Sequence, residues 1–169
     1  MSNIKPKGKI KPQSIALNLA MSLGQGVEGS PIARVRLRRI VLASLSTSHK
    51  PLRTGAVIHL HLCNVKEAKA LNRAHRGKAY APNVLTFEYP RVPRQPLQAD
   101  IAICVPVVHQ EALQQHKTIE HHFIHLLVHG CLHAVGFDHL DEGEAQIMEN
   151  LERQVLKRFR IADPYQVVP

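Results

Sequence analysis

Three histidines in the stretch HGCLHAVGFDH, residues 129–139, have the spacing of a metal site. His129 and His133 lie four apart, so an α-helix stacks their imidazoles on one face, where both can reach one ion. His139 follows six residues later, and a continuing helix would turn it away. Gly136 removes that difficulty, because it can take the left-handed conformation that ends a helix and sends the chain back. Three neutral imidazoles leave a fourth coordination position open, the layout of a catalytic zinc site. A structural site is normally closed by a fourth protein ligand and usually contains cysteine. The expected cofactor is one Zn2+ per chain. His125 lies on the same helical face, but three imidazoles along one straight face span about two turns, too far to share an ion at about 2 Å each.

The residue after the first histidine narrows the chemistry. A zinc protease of this spacing carries glutamate there as its general base. Here the position is Gly130, which cannot move a proton. Amide hydrolysis is hard without that base, whereas phosphodiester cleavage can lean on charge stabilisation and a metal-activated water. A glycine also permits close approach of substrate or of another backbone.

The motif needs a helix to carry it. Residues 119–136 are apolar on most sides, which predicts a helix buried at the centre of the domain, starting near Thr118. Before it, 14–22 and 55–64 alternate as strands, the second exposing His59 and His61 on one face. Those two could chelate a metal, but without a third ligand nearby they read as surface histidines. Strands are also expected at 83–89 and 99–105, joined by a proline-rich linker.

Ser30 as N-cap and Pro31 as first residue predict a helix through 32–45, with Ile32, Val35, Ile40, Val41 and Leu45 inward and Arg34, Arg38 and Arg39 outward. Asn64 is expected to cap a helix over 65–76 that Gly77 ends. A further helix is expected around 107–116, and an amphipathic one over 142–159 with Ile147, Leu151, Val155 and Leu156 inward. The pattern predicts an α+β single domain: a small mixed sheet of about four strands, packed with helices around the buried histidine-bearing one. Its expected limits are a basic arm at 1–13, the domain at 14–160 and a tail at 161–169.

A net charge of +9 favours an anionic partner such as nucleic acid. Aromatic residues are only 4% of the chain, which argues against a broad base-stacking platform. Cys63, Cys104 and Cys131 form no CxxC pair and sit in apolar segments, as reduced core cysteines of a cytosolic protein do. No apolar run approaches a membrane span, and the first residues lack the apolar core of a secretory signal.

The stretch HGCLHAVGFDH resembles the signature of the YbeY family, zinc-dependent single-strand endoribonucleases acting in ribosomal RNA maturation. LNRAHRGKAYAPNVLTFEY at 71–89, ADIAIC at 99–104 and EAQIMENLE at 144–152 are similar to further family segments, so the resemblance runs from about 14 to 160. It implies His129, His133 and His139 as zinc ligands and Arg76 as the functional arginine. Arg76 alone would read as a helix-end residue offsetting the dipole, the more frequent role. The family usually has Thr-Asp before its Val-Leu-Ser-Phe strand. Here Pro82 and Asn83 stand there, Thr86 replaces the serine, and Ala99 replaces a glycine before Asp100.

The implied partners are single-stranded RNA, ribosomal RNA precursors, and the ribosome or its proteins, in the cytoplasm, with no membrane and no DNA. Two other readings remain: a hydrolase of the zinc-protease type, and a ribosome-binding assembly factor whose zinc only steadies the fold.

Overall fold

The computed structural model describes residues 14–166, so the expected arm at 1–13 and the end of the tail lie outside the described residues. Four strands, β1 (Leu17–Leu23), β2 (Ala56–Cys63), β3 (Val84–Glu88) and β4 (Leu97–Cys104), form one sheet in the order β1-β2-β4-β3. β1, β2 and β4 run parallel and β3 pairs antiparallel with β4, which makes the sheet mixed as expected. The proline-rich linker is the β3–β4 connection. Five helices complete the domain: α1 (Arg34–Leu45), α2 (Val65–Arg76), α3 (Val105–Gln114), α4 (Ile119–Ala134) and α5 (Glu142–Arg158).

The strand period of two sorts β2 into two faces. Ile58, Leu60 and Leu62 are fully buried in the main core with residues of α1, α4 and α5, while His59 and His61 lie half-buried on the other face. There they share the hydroxyl of Ser22, 2.8 Å from His59 Nε2 and 2.8 Å from His61 Nδ1. A small second cluster on that face, including Cys63, Ala68, Leu85, Ala102 and Cys104, sits under α2. All three cysteines are free and buried.

α2 begins with the expected Asn64 cap, completed by Glu67 as a capping box, and ends at Gly77 with φ 68°. α1 departs from expectation. Its N-cap is Ala33 without a side-chain bond, because Ser30 Oγ is taken by the Ile32 N–H in the preceding turn. Val35 is 75% exposed and Leu37 takes the inward position. Ile147 of α5 is likewise half-exposed, since Met148, Glu152, Val155 and Leu156 form the buried stripe.

The arginines of α1 point outward, but three of them have structural work, Arg36 by pairing with Glu120 of α4. Arg38 Nη1 donates to the Leu17 carbonyl at 3.0 Å and Arg34 Nη2 to that of Leu19 at 3.5 Å, covering the free edge of β1. That edge is the far end of the sheet from β3. None of the described helices is long and apolar enough to cross a membrane.

Candidate metal centre

α4 is a helix whose surroundings are nearly all protein. Thr118 caps it by accepting from the His121 N–H at 3.1 Å, and its buried residues include Phe123, Ile124, Leu127, Val128 and Leu132. Its face bearing His129 and His133 reaches a polar cleft. The helix ends at Ala134, and Gly136 (φ 95°) turns the chain back. The Gly136 N–H donates to the His133 carbonyl at 2.8 Å and the Phe137 N–H to that of Leu132 at 3.1 Å. Phe137 then buries its ring beside His49 and anchors the returning segment.

The turn brings His139 back as the spacing requires. Ring nitrogens of His129, His133 and His139 lie within 4.8 Å of one another, close enough to hold one metal ion. His129 Nε2 and His133 Nε2 approach to 3.1 Å. Burial, then the charges of His129 and His139, push His133 down to about 4, so its imidazole is neutral near pH 7 as a ligand must be. His125 is outside the set, bonded instead to Glu152 Oε2 at 3.0 Å.

Carboxylates stand behind two of these histidines. Glu152 of α5 is fully buried and accepts from His129 Nδ1 at 2.7 Å. A carboxylate can only accept, so the proton sits on Nδ1 and Nε2 keeps its lone pair for a metal. Burial alone would raise the proton affinity of Glu152, but the hydrogen bonds of His125 and His129 outweigh it and hold the carboxyl at about 2. Tyr165, in the segment after α5, donates its hydroxyl to the same carboxylate. Arg153 stacks over the Tyr165 ring at 4.8 Å and holds Asp163 at 3.0 Å, which pins that segment against the centre. Asp138 lies 4.0 Å from His133 Nδ1.

The three histidines open into a polar cleft of about 580 Å³, also lined by Arg76, Asn83, Thr86, Glu88, Glu111 and Asp138. Arg76 arrives from the last turn of α2. The next wall is the loop after Gly77, which buried Asn72 secures by donating Nδ2 to the Tyr80 carbonyl at 2.9 Å. Asn83 donates to both oxygens of Glu111, at 3.1 and 3.0 Å, and His122 Nε2 lies 2.7 Å from Glu111 Oε2. An aspartate at 83 would instead face Glu111 with like charge, so the asparagine suits this neighbour. Burial and the charge of Asp138 raise the proton affinity of Glu88.

Gly130 does not face the cleft. It is buried against the sheet, where an added Cβ would lie 2.9 Å from Ile101 Cγ2 and 3.2 Å from Thr86 Oγ1. Thr86 also donates to the Gly130 carbonyl at 3.2 Å. The glycine serves the close approach of α4 to β3 and β4. Overpacking of about 1–3 kcal/mol against two β-branched neighbours exceeds the gain of about 1 kcal/mol from alanine's helix propensity. Gly130→Ala is therefore expected to melt below the parent protein in thermal denaturation, and Gly130→Glu to lose folded protein rather than gain peptide cleavage. An equally stable alanine variant would refute this packing account.

Glu152, Glu111 and Tyr165 carry no motif of their own. Glu152 did leave one signal: an acid inside the apolar stripe of the last helix, which burial tolerates only with partners.

Comparison with known proteins places this geometry in a family. The sequence model of the family described as Endoribonuclease YbeY matches residues 28–160, a range that holds Arg76, all three histidines and Glu152. The Endoribonuclease YbeY of Bordetella pertussis is 46% identical over 155 residues, covering 89% of this chain and 98% of its own. That of Thiobacillus denitrificans is 44% identical over 149 residues, covering 88% and 96%. That of Stenotrophomonas maltophilia is 41% identical over 157 residues, covering 89% and 94%. The solution structure of a Thermotoga maritima protein, at 22% identity and TM-score 0.51, covers 88% of this chain and 99% of its own and shares the fold. The chain belongs to the YbeY family of endoribonucleases.

Proposed function

We propose that this protein is a zinc-dependent endoribonuclease that cuts single-stranded RNA, chiefly ribosomal RNA precursors, in ribosome maturation and quality control in the cytoplasm. The observation that carries the reading is the convergence of three imidazoles in the cleft that Arg76 also lines. The donor set fits zinc: three imidazoles whose nitrogens lie within 4.8 Å of one another, a buried carboxylate on the far ring nitrogen of His129, Asp138 at 4.0 Å from that of His133, and a cleft on the open side. His129, His133 and His139 would hold the zinc ion, which when bound would supply charge stabilisation at the scissile phosphate and activation of the attacking oxygen.

The rest of the work falls to the chain. Arg76 binds a phosphate oxygen pair through its planar fork and offsets charge that develops there. Glu152 fixes the ring and tautomer of His129, and Asp138 stands beside His133. Glu111, held by Asn83 and His122, keeps one cleft wall in place. The attacking oxygen is that of water or of the RNA 2′-hydroxyl.

The test is cleavage of matched single- and double-stranded oligoribonucleotides. Activity should require the single strand, vanish with a chelator and return with zinc, at one zinc per chain by elemental analysis. His139→Ala, prepared identically, should bind zinc poorly and lack the activity, which controls for contaminating nuclease. Equal cleavage by that variant would sink the proposal. Zinc binding without cleavage would favour an assembly factor with a structural ion, and cleavage of a peptide library would favour the protease reading.

A further inference from the structure

A second groove, of about 680 Å³, lies on the other side of β3 from the metal cleft. β3 is an edge strand, and its alternating side chains divide between the two. Val84, Thr86 and Glu88 line the metal cleft, whereas Leu85, Phe87 and Tyr89 line the groove. Arg76, Thr86 and Glu88 border both, so the two form one continuous surface around the strand. The sheet register sets His59, Asp100 and Phe87 side by side across β2, β4 and β3. His75 of α2 lies against Phe87 with ring centroids 4.5 Å apart. Tyr89 Oη donates to Asp100 Oδ2 at 2.8 Å, while Asp100 Oδ1 is 3.8 Å from His59 Nδ1.

We propose that this groove is a nucleobase subsite, holding one amino-bearing base of the RNA strand whose phosphate lies at Arg76. The inference rests on the endoribonuclease reading and adds to it where the neighbouring nucleotide goes. A phosphate is a poor occupant, because Asp100 and Glu88 would repel it. A base carries no charge and can stack on the exposed ring surfaces of His75 and Tyr89 and the half-buried Phe87. The Asp100 carboxylate accepts from an exocyclic amine, as acidic side chains do from cytosine N4. Uracil presents carbonyl oxygens on both sides of its single donor and is the disfavoured base. One such pocket is compatible with the low aromatic content that excludes an extended stacking platform.

The subsite is tested on zinc-loaded protein, with kcat and KM measured on end-labelled single-stranded oligoribonucleotides. Each position flanking the cut is made A, C, G, U or abasic in turn. At one position the abasic residue should raise KM roughly 5- to 150-fold, the loss of one stacked base. Uridine there should be weaker than the other three, and Asp100→Asn should flatten that preference. Phe87→Ala should make the protein indifferent to the abasic residue, so that the two losses do not add. Phe87 packs with the small cluster under α2, so Asp100→Asn, at a half-exposed side chain, provides the arm that folding cannot confound. Cleavage with no position coupled to either variant overturns the subsite alone. A parent protein that neither binds nor cuts any strand overturns the endoribonuclease reading, and the subsite with it.

Discussion

Replacing Glu152 by alanine is expected to cost about 3–5 kcal/mol of stability, the usual penalty for removing one partner of a buried charged pair. It should also weaken zinc binding about 10- to 100-fold, the usual effect of losing a carboxylate behind a ligating histidine. One carboxylate receives His125, His129 and Tyr165, and it is fully buried. Its loss leaves three polar groups facing the buried stripe of α5 without that acceptor.

Glu152→Gln separates the two effects. The amide fills the same volume and keeps one acceptor, so part of the stability returns. It also brings a donor, which cannot face a protonated ring nitrogen. If that donor faces His129, the proton moves from Nδ1 to Nε2, the nitrogen that converges on His133. Metal affinity therefore recovers less than stability does. Melting temperature and competitive zinc titration of both variants check this, and an alanine variant with parental values of both would end the argument.

The convergence of the three histidines was legible in the sequence because every part of it is local. Helix period aligns His129 with His133, and a single glycine, at φ 95°, decides where His139 goes. The mixed sheet and the capping of α2 followed from similarly short-range patterns. What failed was phase on helices at the surface: Val35 sits two residues before the buried Leu37 and Ile147 one before the buried Met148, where an apolar residue looks inward on paper but meets solvent. What stayed hidden was anything set by packing of distant elements. Glu152 and Tyr165 reach His129 and His125 from α5 and beyond it, and Glu111 meets Asn83 only because β3 lies beside β4 at the start of α3. The role of Gly130 was half legible. A close approach was expected there, but the approaching group is the sheet, not a substrate.

The placement of Arg76 is the other fact that needed three dimensions, and it carries the second large prediction. Arg76→Ala is expected to lower the cleavage rate roughly 10²- to 10³-fold, as loss of a donor aimed at developing charge does. Zinc content and melting temperature should stay close to those of the parent protein. The reason lies in α2: its last turn also holds Arg73 and His75, so the helix dipole keeps basic neighbours when Arg76 is gone. Arg76 itself borders the histidine cleft. Arg76→Lys should restore only part of the rate, because an ammonium lacks the planar fork that holds two phosphate oxygens. A helix-end residue behaves differently. Its loss would cost about 0.3–1 kcal/mol of stability, lysine would repair it, and cleavage per folded molecule would not change. Rate and melting temperature, measured on both variants, distinguish the two roles. A folded, zinc-loaded Arg76→Ala protein with full activity would remove the guanidinium from the reaction and leave the phosphate to the metal alone.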